Sequence, residues 1–397
     1  MTARVFTTPT PTEEGLGVVA LINELRDEMK HRVNMEPRRW TGGLRRVLGA
    51  LAVQGSNSIE GYNATLSDVV AAADGDAPFE ANEATRQAVG GYQDAMTYVL
   101  QLTQDPTAVI DEGLLKSLHF MMLKHDLSKN PGRWRRGDIY VRREDTQEIV
   151  YRGPEQDLIP GLIAATLEEL ENSDAPALIR AAMAHLNLVM IHPYSDGNGR
   201  MGRCLQTLVL AREQIFAPVF SSIEEYLGRN TRDYYAILAE VGSGEWHPES
   251  DARPWVRFCL TAHYRQAQSV LRRVQAFEEM WSVAAQLASE RRLPERCIGP
   301  ICEAAYGVRV RRATYRSNVE TTYGEAIPDQ TASRDLKALV NAGLFVPIGD
   351  TRGRFYVPSD DLSATWHRVR LQRPPRGTDD PFEVVRRGVQ TELDLGS

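Results

Sequence analysis

The chain has 397 residues, of which 42% are hydrophobic and 25% are charged, and its formal net charge is -7. This composition is typical of soluble globular proteins, and the length is enough for two or three domains. The negative charge argues against a protein that coats nucleic acid generally, because neutralising phosphates requires a positive surface. The four cysteines form no Cys-x-x-Cys pair, which argues against a zinc site or a disulfide scaffold.

No apolar stretch near the start resembles a signal peptide, and no run approaches the roughly 20 apolar residues that cross a bilayer. We therefore expect a cytoplasmic protein without a membrane partner. The polar, proline-rich start and the segment that follows Gln372 are expected to be loosely ordered ends.

The first informative element is a helix that ends in a short polar motif. Ser56 and Glu60 are four residues apart and share a helix face, Gly61 is a helix stop, and Thr65 with Asp68 begins the next helix. A carboxylate in a last helical turn meets the negative end of the helix dipole. Glu60 is therefore expected either to face solvent or to meet a cation.

Apolar residues at helical spacing predict further helices over residues 114–122, over 177–191, and from about Arg200 to Glu213. Between the first two, residues 138–151 alternate in the manner of strands on either side of a polar turn, which predicts an exposed hairpin.

Near the C-terminus, a predicted helix from Thr331 to Gly343 is followed by a second hairpin over residues 344–357. Two helices followed by a hairpin are the outline of a winged helix-turn-helix. We place the start of this predicted domain near residue 285. Residues 289–370 contain 13 Lys/Arg and 10 Asp/Glu. With Ser333, Arg334 and Lys337 early on the recognition helix, this excess is compatible with DNA binding, although winged helices also serve as protein-protein modules.

The richest stretch is residues 192–203, which read His-Pro-Tyr-Ser-Asp-Gly-Asn-Gly-Arg-Met-Gly-Arg between two predicted helices. Gly197, Asn198 and Gly199 can turn consecutive N–H groups toward one anion at the start of a helix. Arg200 and Arg203 are three residues apart, so both side chains can reach the same phosphates. These groups predict a phosphate site.

Two further side chains of this loop suit phosphate chemistry. Asp196 supplies the carboxylate oxygen that Mg²⁺ prefers beside phosphate oxygens. His192 has the one side chain here whose pKa lies near neutrality, so it can take a proton from an attacking hydroxyl. An ordinary turn with a structural histidine is the alternative, but all these groups together favour the catalytic interpretation.

This stretch resembles the core motif of the Fic family, His-Pro-Phe-x-(Asp/Glu)-Gly-Asn-Gly-Arg-x-x-Arg, with Tyr194 where Phe is usual. The resemblance implies a mainly α fold with a Fic-type helical core and a β-hairpin flap, here joined to the C-terminal winged helix-turn-helix. It implies AMP transfer from Mg-ATP to a Ser, Thr or Tyr hydroxyl of a target protein. The kinase-like branch of the family has Lys in place of Gly199 and lacks the final arginine. This chain has both Gly199 and Arg203, which favours AMP transfer over phosphate transfer.

The resemblance also assigns roles to residues. His192 is the base, and Asp196 is the Mg²⁺ ligand. Gly197, Asn198 and Gly199 form an anion cradle that binds the ATP phosphates together with Arg200 and Arg203. Tyr234 and Leu238 line the adenine site. The hairpin is the flap on which a target segment pairs as an added strand, with the docking residues Ile139, Tyr140, Val141, Ile149 and Val150.

The motif formed by Ser56, Glu60 and Gly61 resembles the inhibitory Ser/Thr-x-x-x-Glu-Gly motif of the same family. By that resemblance Glu60 pairs with Arg203 and keeps the ATP γ-phosphate out of place. The leading hypothesis is therefore an autoinhibited protein adenylyltransferase. Removal of AMP from a modified target and a nucleotide-sensing transcription regulator remain alternatives.

The expected domains are a helical region with the inhibitory motif (residues 1–104), the catalytic core (105–250), a helical connector (251–284), the winged helix (285–360) and a polar tail (361–397). The expected ligands are ATP and Mg²⁺. The expected partner is a protein target of unknown identity, with a homodimer and DNA as further open partners.

Overall fold

The computed structural model describes residues 4–34, 39–105, 107–142, 146–213, 218–350, 353–373 and 378–395. Within these residues helices predominate and the strands form two separate antiparallel hairpins, which confirms the expected mainly α fold. None of the helices in the described ranges is both long and apolar enough to cross a membrane.

The N-terminal region consists of four helices, α1 (Glu13–Asn34), α2 (Trp40–Ile59), α3 (Leu66–Ala73) and α4 (Glu83–Leu102). Helix α3 begins with the predicted pair, because the Thr65 hydroxyl accepts from the Asp68 N–H while the Asp68 carboxylate accepts from the Thr65 N–H. Helix α2 ends where the sequence predicts, since Gly61 has the left-handed φ of 80°.

The central region contains a hairpin and the helices around it. Its elements are α5 (Glu112–Leu123), β1 (Tyr140–Arg142), β2 (Ile149–Arg152), α6 (Ile159–Asn172), α7 (Ala177–Ile191), α8 (Asn198–Arg212), α9 (Pro218–Ser221), α10 (Glu224–Arg229) and α11 (Thr231–Gly242). Helix α7 packs against α8, and α4 packs against both α5 and α8. The loop between α7 and α8 is thereby held between packed helices.

A single long helix, α12 (Arg253–Glu290), packs against α1, α7 and α11. The predicted start of the winged helix, residue 285, lies inside this helix, five residues before its end. The helices and hairpin expected of a winged helix-turn-helix lie beyond it, as α13 (Ile298–Tyr306), α14 (Arg312–Tyr323), α15 (Asp329–Asn341), β3 (Phe345–Ile348) and β4 (Phe355–Pro358). On α15 the side chains of Ser333, Arg334 and Lys337 are exposed.

Both chain ends differ from the expectation of loose order. Phe6 is buried, and its backbone N–H and C=O both bond the side-chain amide of Asn187 at 2.9 Å. Residues of the predicted polar tail form α16 (Asp360–Leu371) and α17 (Pro381–Leu395). Phe382 of α17 is buried, with the guanidinium of Arg257 3.9 Å from its ring centre. Apolar residues within a polar sequence thus fix the described parts of both ends.

Helix α2 joins the N-terminal region to the C-terminal module, which consists of the elements from α13 to β4. Arg46 of α2 donates to Asp74 and to Glu303 of α13, both at 2.9 Å, and both acceptor side chains are almost fully buried. Near its other end, a side chain at Gly55 would overlap the backbone of α10 at Glu224. The position of α2 is therefore fixed at both of its halves.

The contact between α4 and α5 gives a test of this packing. A side chain at Gly91 would overlap the backbone carbonyl of Met122, whereas a side chain at Gly90 would meet open space. We expect Gly91→Ala to lower the free energy of unfolding by about 1–3 kcal/mol through overpacking. Gly90→Ala, the matched control, should raise it by up to about 1 kcal/mol through helix propensity. Urea denaturation measures both, and equal effects would contradict the packing.

Candidate active site

The loop between α7 and α8 is shaped by two left-handed residues. His192 ends α7 with a φ of 52°, and Gly197 precedes α8 with a φ of 77°. Between them the ring of Tyr194 is buried and stacks on His119 at 3.6 Å between ring centres. The Tyr194 hydroxyl donates to the Leu115 carbonyl at 3.0 Å. The hydroxyl that distinguishes this residue from the usual Phe thus has its partner.

Asn198 holds the loop closed with its side chain. Its amide oxygen accepts from the Tyr194 N–H, and its amide nitrogen donates to the Tyr194 carbonyl, both at 2.9 Å. The side chain of Asn198 is therefore structural, and only its backbone N–H is available to the predicted anion cradle.

The first turn of α8 offers donors without intrahelical acceptors. The Met201 N–H is bonded to the Gly197 carbonyl, and no described side chain caps the N-terminus of this helix. The N–H groups of Asn198, Gly199 and Arg200 therefore precede the first intrahelical bond, at the positive end of the helix dipole. This arrangement suits an anion.

Arg200 gives the strongest indication of a ligand. Its side chain is fully buried, yet none of its three guanidinium nitrogens has a hydrogen-bond partner among the described residues. The Asp196 carboxylate lies 3.9 Å from one terminal nitrogen, and the ring of Tyr62 lies 5.2 Å from the guanidinium carbon. A buried cation with unsatisfied donors is costly unless an anion joins it.

Arg203, by contrast, is already paired. Its Nε–H donates to the Ser56 hydroxyl at 2.8 Å, and one terminal nitrogen donates both to the Ser56 carbonyl at 3.0 Å and to Glu60 Oε1 at 2.7 Å. Burial alone would lower the pKa of Arg203, but the charge of Glu60 raises it overall. The predicted cation opposite Glu60 is therefore Arg203.

The Glu60 carboxylate also reaches the anion cradle. A side chain at Gly199 would overlap Glu60 Oε1, so this oxygen lies directly against the first turn of α8. Glu60 is only partly exposed, with 23% of its side-chain surface accessible. A carboxylate of the chain itself thus lies at the helix N-terminus where a phosphate oxygen is expected.

His192 lies at the other end of the loop with a defined tautomer. Its Nδ1 is 3.1 Å from the Val189 carbonyl, which can only accept, so Nδ1 carries the proton and Nε2 the lone pair. Burial lowers the pKa of His192. Arg135 fixes the backbone here, because its Nε–H donates to the His192 carbonyl at 2.9 Å. At neutral pH the ring is therefore uncharged, with a lone pair on Nε2.

Asp196 is held by an ion pair with Lys129 and accepts from the Gly197 N–H at 2.6 Å. Burial alone would raise the pKa of its carboxyl, but Lys129 and Arg200 lower it overall. The described residues contain no cluster of three or more ligand side chains for a metal. One ionised, partly exposed carboxylate fits Mg²⁺ that takes its other oxygens from phosphates and water.

Three residues of the site were not predicted. His119 accepts from the Gly132 N–H at 2.8 Å and donates to the Asp196 carbonyl at 3.0 Å, and burial lowers its pKa to about 4. Lys129 and Arg135 bind the loop from the segment before the flap. In the sequence His119 is only a histidine on the apolar face of a helix, so no local pattern indicates its partners.

The predicted adenine-site residues lie on α11 and are buried. The Tyr234 hydroxyl lies 3.0 Å from His185 Nε2, and the Arg203 guanidinium carbon lies 6.0 Å from its ring centre. Tyr234 therefore lies in the core beside Arg203, and its contact with adenine stays a prediction. Leu238 is one turn further along and is 9% exposed, so its contact with adenine stays a prediction.

The predicted flap is a short hairpin beside the loop. Strands β1 and β2 pair Val141 with Tyr151, and the Tyr151 hydroxyl donates to the Met190 carbonyl of α7 at 2.7 Å. Tyr140 and Ile149 are exposed, while Ile139, Val141 and Val150 are partly buried. Within the described ranges β1 pairs only with β2, which leaves its outer edge open. Residues 143–145 at the turn lie outside these ranges.

Residues 109–210 match the Fic/DOC family. They enclose α5, the flap, and the loop from His192 to Arg203 together with the helices on either side of it. The part of the chain that carries the candidate site is therefore similar to the Fic/DOC family.

Particular relatives agree with this assignment. The chain is 30% identical over 227 residues to the protein adenylyltransferase Fic of Nematostella vectensis, in a match that covers 54% of this chain and 47% of that protein. It is 40% identical over 79 residues to the protein adenylyltransferase fic-1 of Caenorhabditis elegans, covering 20% and 13%. The chain thus spans about half the length of the Nematostella relative.

A solved structure shares the fold over most of the chain. A Fic family protein from Desulfovibrio desulfuricans G20 superposes with a TM-score of 0.55 at 22% identity, covering 89% of this chain and 98% of that one. The likeness therefore includes helices on both sides of the Fic domain.

Asn198 provides a test of the loop geometry. We expect Asn198→Ala to lower the free energy of unfolding by about 2 kcal/mol or more, because two buried backbone groups of Tyr194 lose their partners. Asn63→Ala is the matched control, since the exposed Asn63 side chain makes one long bond of 3.4 Å and its loss should change stability by less than about 0.5 kcal/mol. Thermal or urea unfolding measures both, and a neutral Asn198→Ala protein would contradict the role of the amide.

Proposed function

We propose that this protein transfers AMP from ATP to a Ser, Thr or Tyr hydroxyl of a target protein. The observation that carries the proposal is Arg200, a buried guanidinium without a hydrogen-bond partner in the described chain, beside the uncapped N-terminus of α8. Phosphates satisfy both groups. The names of the relatives, protein adenylyltransferases, support the same reaction.

The reaction assigns one task to each end of the loop. The target hydroxyl attacks the α-phosphorus, a new P–O bond forms, and the bond to the departing pyrophosphate breaks. His192 Nε2 accepts the hydroxyl proton as attack proceeds. The first-turn N–H groups of α8 and the two arginines bind the phosphates and hold the α-phosphorus in line for attack. Mg²⁺, bound by Asp196 and the phosphates, would neutralise part of their charge.

The flap supports a protein as the acceptor. The open edge of β1 can pair with an extended segment by backbone hydrogen bonds, which are largely independent of the target's sequence. The side chains of Tyr140 on β1 and of Ile149 on β2 are exposed. A target strand bound here would run beside the loop that carries His192, because Tyr151 fixes the flap to α7.

His192 provides the first test of this function. We expect His192→Ala to reduce turnover by about 100-fold or more while ATP affinity stays nearly unchanged, because the base acts on the hydroxyl proton and not on the phosphates. Burial lowers the pKa of His192, so the neutral base persists into mildly acidic solution, and the wild-type rate should fall only below pH 6.5.

Transfer of label from α-labelled ATP measures the rate, and calorimetric titration with ATP measures affinity. Ser195→Ala is the control in the same loop, since its side chain is exposed and should leave the rate unchanged. Undiminished transfer by the His192→Ala protein would exclude the assigned mechanism.

We further propose that Glu60 inhibits the enzyme through Arg203. The Glu60 carboxylate uses the guanidinium that an outer phosphate of ATP would need, and it lies against Gly199 in the cradle. While the pair holds, ATP can bind only with its phosphates displaced, and the α-phosphate is then out of line for attack. The fixed position of α2 keeps the carboxylate there.

Removing the carboxylate tests this inhibition. We expect Glu60→Gly to raise self-labelling from α-labelled ATP by about tenfold or more, within the usual range of coupling between competing contacts. Arg203→Ala in the same protein should erase the gain, because the released arginine acts on the phosphate.

Ser58→Gly is the matched control, since it loosens the same last turn of α2 and leaves Glu60 in place. Activation by Ser58→Gly as strong as that by Glu60→Gly would assign the effect to the helix end and not to the carboxylate. Equal labelling of wild-type and Glu60→Gly proteins would exclude Glu60 as the inhibitor.

Removal of AMP is the rival reaction in the same site. It would use Glu60 to position a water molecule against the AMP-protein bond, so Glu60→Gly would abolish release of AMP from a modified target and would not raise transfer.

DNA binding through α15 also remains a prediction, supported by the exposed Arg334 and Lys337. A salt-dependent duplex affinity that falls in an Arg334→Ala protein would establish it.

A further inference from the structure

A second concentration of positive charge lies outside the loop of the active site. A cavity of about 530 Å³ opens between α2, α10, α12, α13 and α16. Five arginines line it, namely Arg229, Arg272, Arg273, Arg370 and Arg373, and its described lining contains no carboxylate. A volume of this size falls within the roughly 300–1,000 Å³ that is typical of small-molecule sites.

The acidic neighbours of this cavity do not balance its charge. Glu225 pairs with Arg273 at 2.5 Å and with Arg229 at 2.6 Å, and Glu279 pairs with Arg373. Two carboxylates therefore face five guanidinium groups, and three positive charges remain without a counter-ion from these pairs.

Three of these arginines have N–H donors that no acceptor among the described residues occupies. Within the described ranges Arg272 and Arg370 form no salt bridge or side-chain hydrogen bond, and the Nε–H of Arg373 is buried without an acceptor. Tyr306 and Trp366 form one wall of the cavity, with their ring centres 5.3 Å apart. Trp366 is 8% exposed. Apolar walls reduce water access and strengthen the attraction of the guanidinium groups for an anion.

We propose that this arginine cavity binds a small polyphosphorylated ligand. Guanidinium groups bind phosphate oxygens in pairs, and several converging arginines favour a ligand with more than one phosphate. The ligand would lie between α12 of the core and α16 beyond the C-terminal hairpin. This binding is separate from the proposed transfer of AMP, since no residue of the loop from His192 to Arg203 lines the cavity.

The test uses inorganic tripolyphosphate and the full chain. Arg200→Ala is introduced first, because it weakens the anion site at α8 and breaks no hydrogen bond within the described residues. Calorimetric titration of this protein should show one binding event that weakens with added salt. Adding Arg272→Ala and Arg370→Ala should lower the affinity by roughly tenfold or more, because two charge-assisted contacts are lost.

Arg368→Ala is the matched control, since Arg368 lies on the same helix as Arg370 and does not line the cavity. The Arg200→Ala/Arg368→Ala protein should bind tripolyphosphate with the same affinity as the Arg200→Ala protein. The single variant Arg370→Glu, at an exposed position, should also weaken binding, and thermal melting of each variant verifies that it is folded.

Two outcomes would overturn the proposal. One is the absence of binding to the Arg200→Ala protein, or binding that the arginine substitutions leave unchanged. The other is that a DNA duplex binds, that its affinity falls when Arg272→Ala and Arg370→Ala are added, and that tripolyphosphate does not bind. That result would assign the arginines to nucleic acid instead of a small ligand.

Discussion

The guanidinium of Arg203 is buried at the centre of the site, and a buried cation must have anionic or polar partners. In this structure Ser56 and Glu60 provide them, so the end of α2 has to lie against the first turn of α8. Gly55 allows α2 to approach the backbone of α10, and Gly61 turns the chain away just after Glu60. The same requirement makes the arginine sensitive to any competing phosphate.

Helix α2 connects this arginine to the rest of the molecule. Its first half is tied by Arg46 to Glu303 of α13, and Glu60 directly follows its last residue. Leu51, between them, lines the arginine cavity. The Glu60 carboxylate thus directly follows a helix that also contacts the C-terminal module.

Local patterns in the sequence predicted much of the site, and long-range packing supplied the rest. Apolar spacing fixed α7 at residues 177–191, and the turn residues around Gly197 predicted the cradle. His119 and Arg135 bind the loop from 57 to 77 residues away, which no periodicity reveals. An aromatic residue at helical spacing looks alike in a core and in a site, so the burial of Tyr234 beside Arg203 could not be predicted from its spacing. Helix α17 packs against α1, and its buried Phe382 lies under Arg257 of α12, which are contacts that no local pattern reveals.

The competition between Glu60 and a γ-phosphate for Arg203 can be measured directly as the ratio of ATP affinity to ADP affinity. Only ATP carries the γ-phosphate, so the ratio reports whether Arg203 is available to it. We expect similar affinities for ATP and ADP in the wild-type protein and a clear preference for ATP in the Glu60→Gly protein. The preference should disappear when Arg203→Ala is added. The same ATP preference in wild-type and Glu60→Gly proteins would contradict the account.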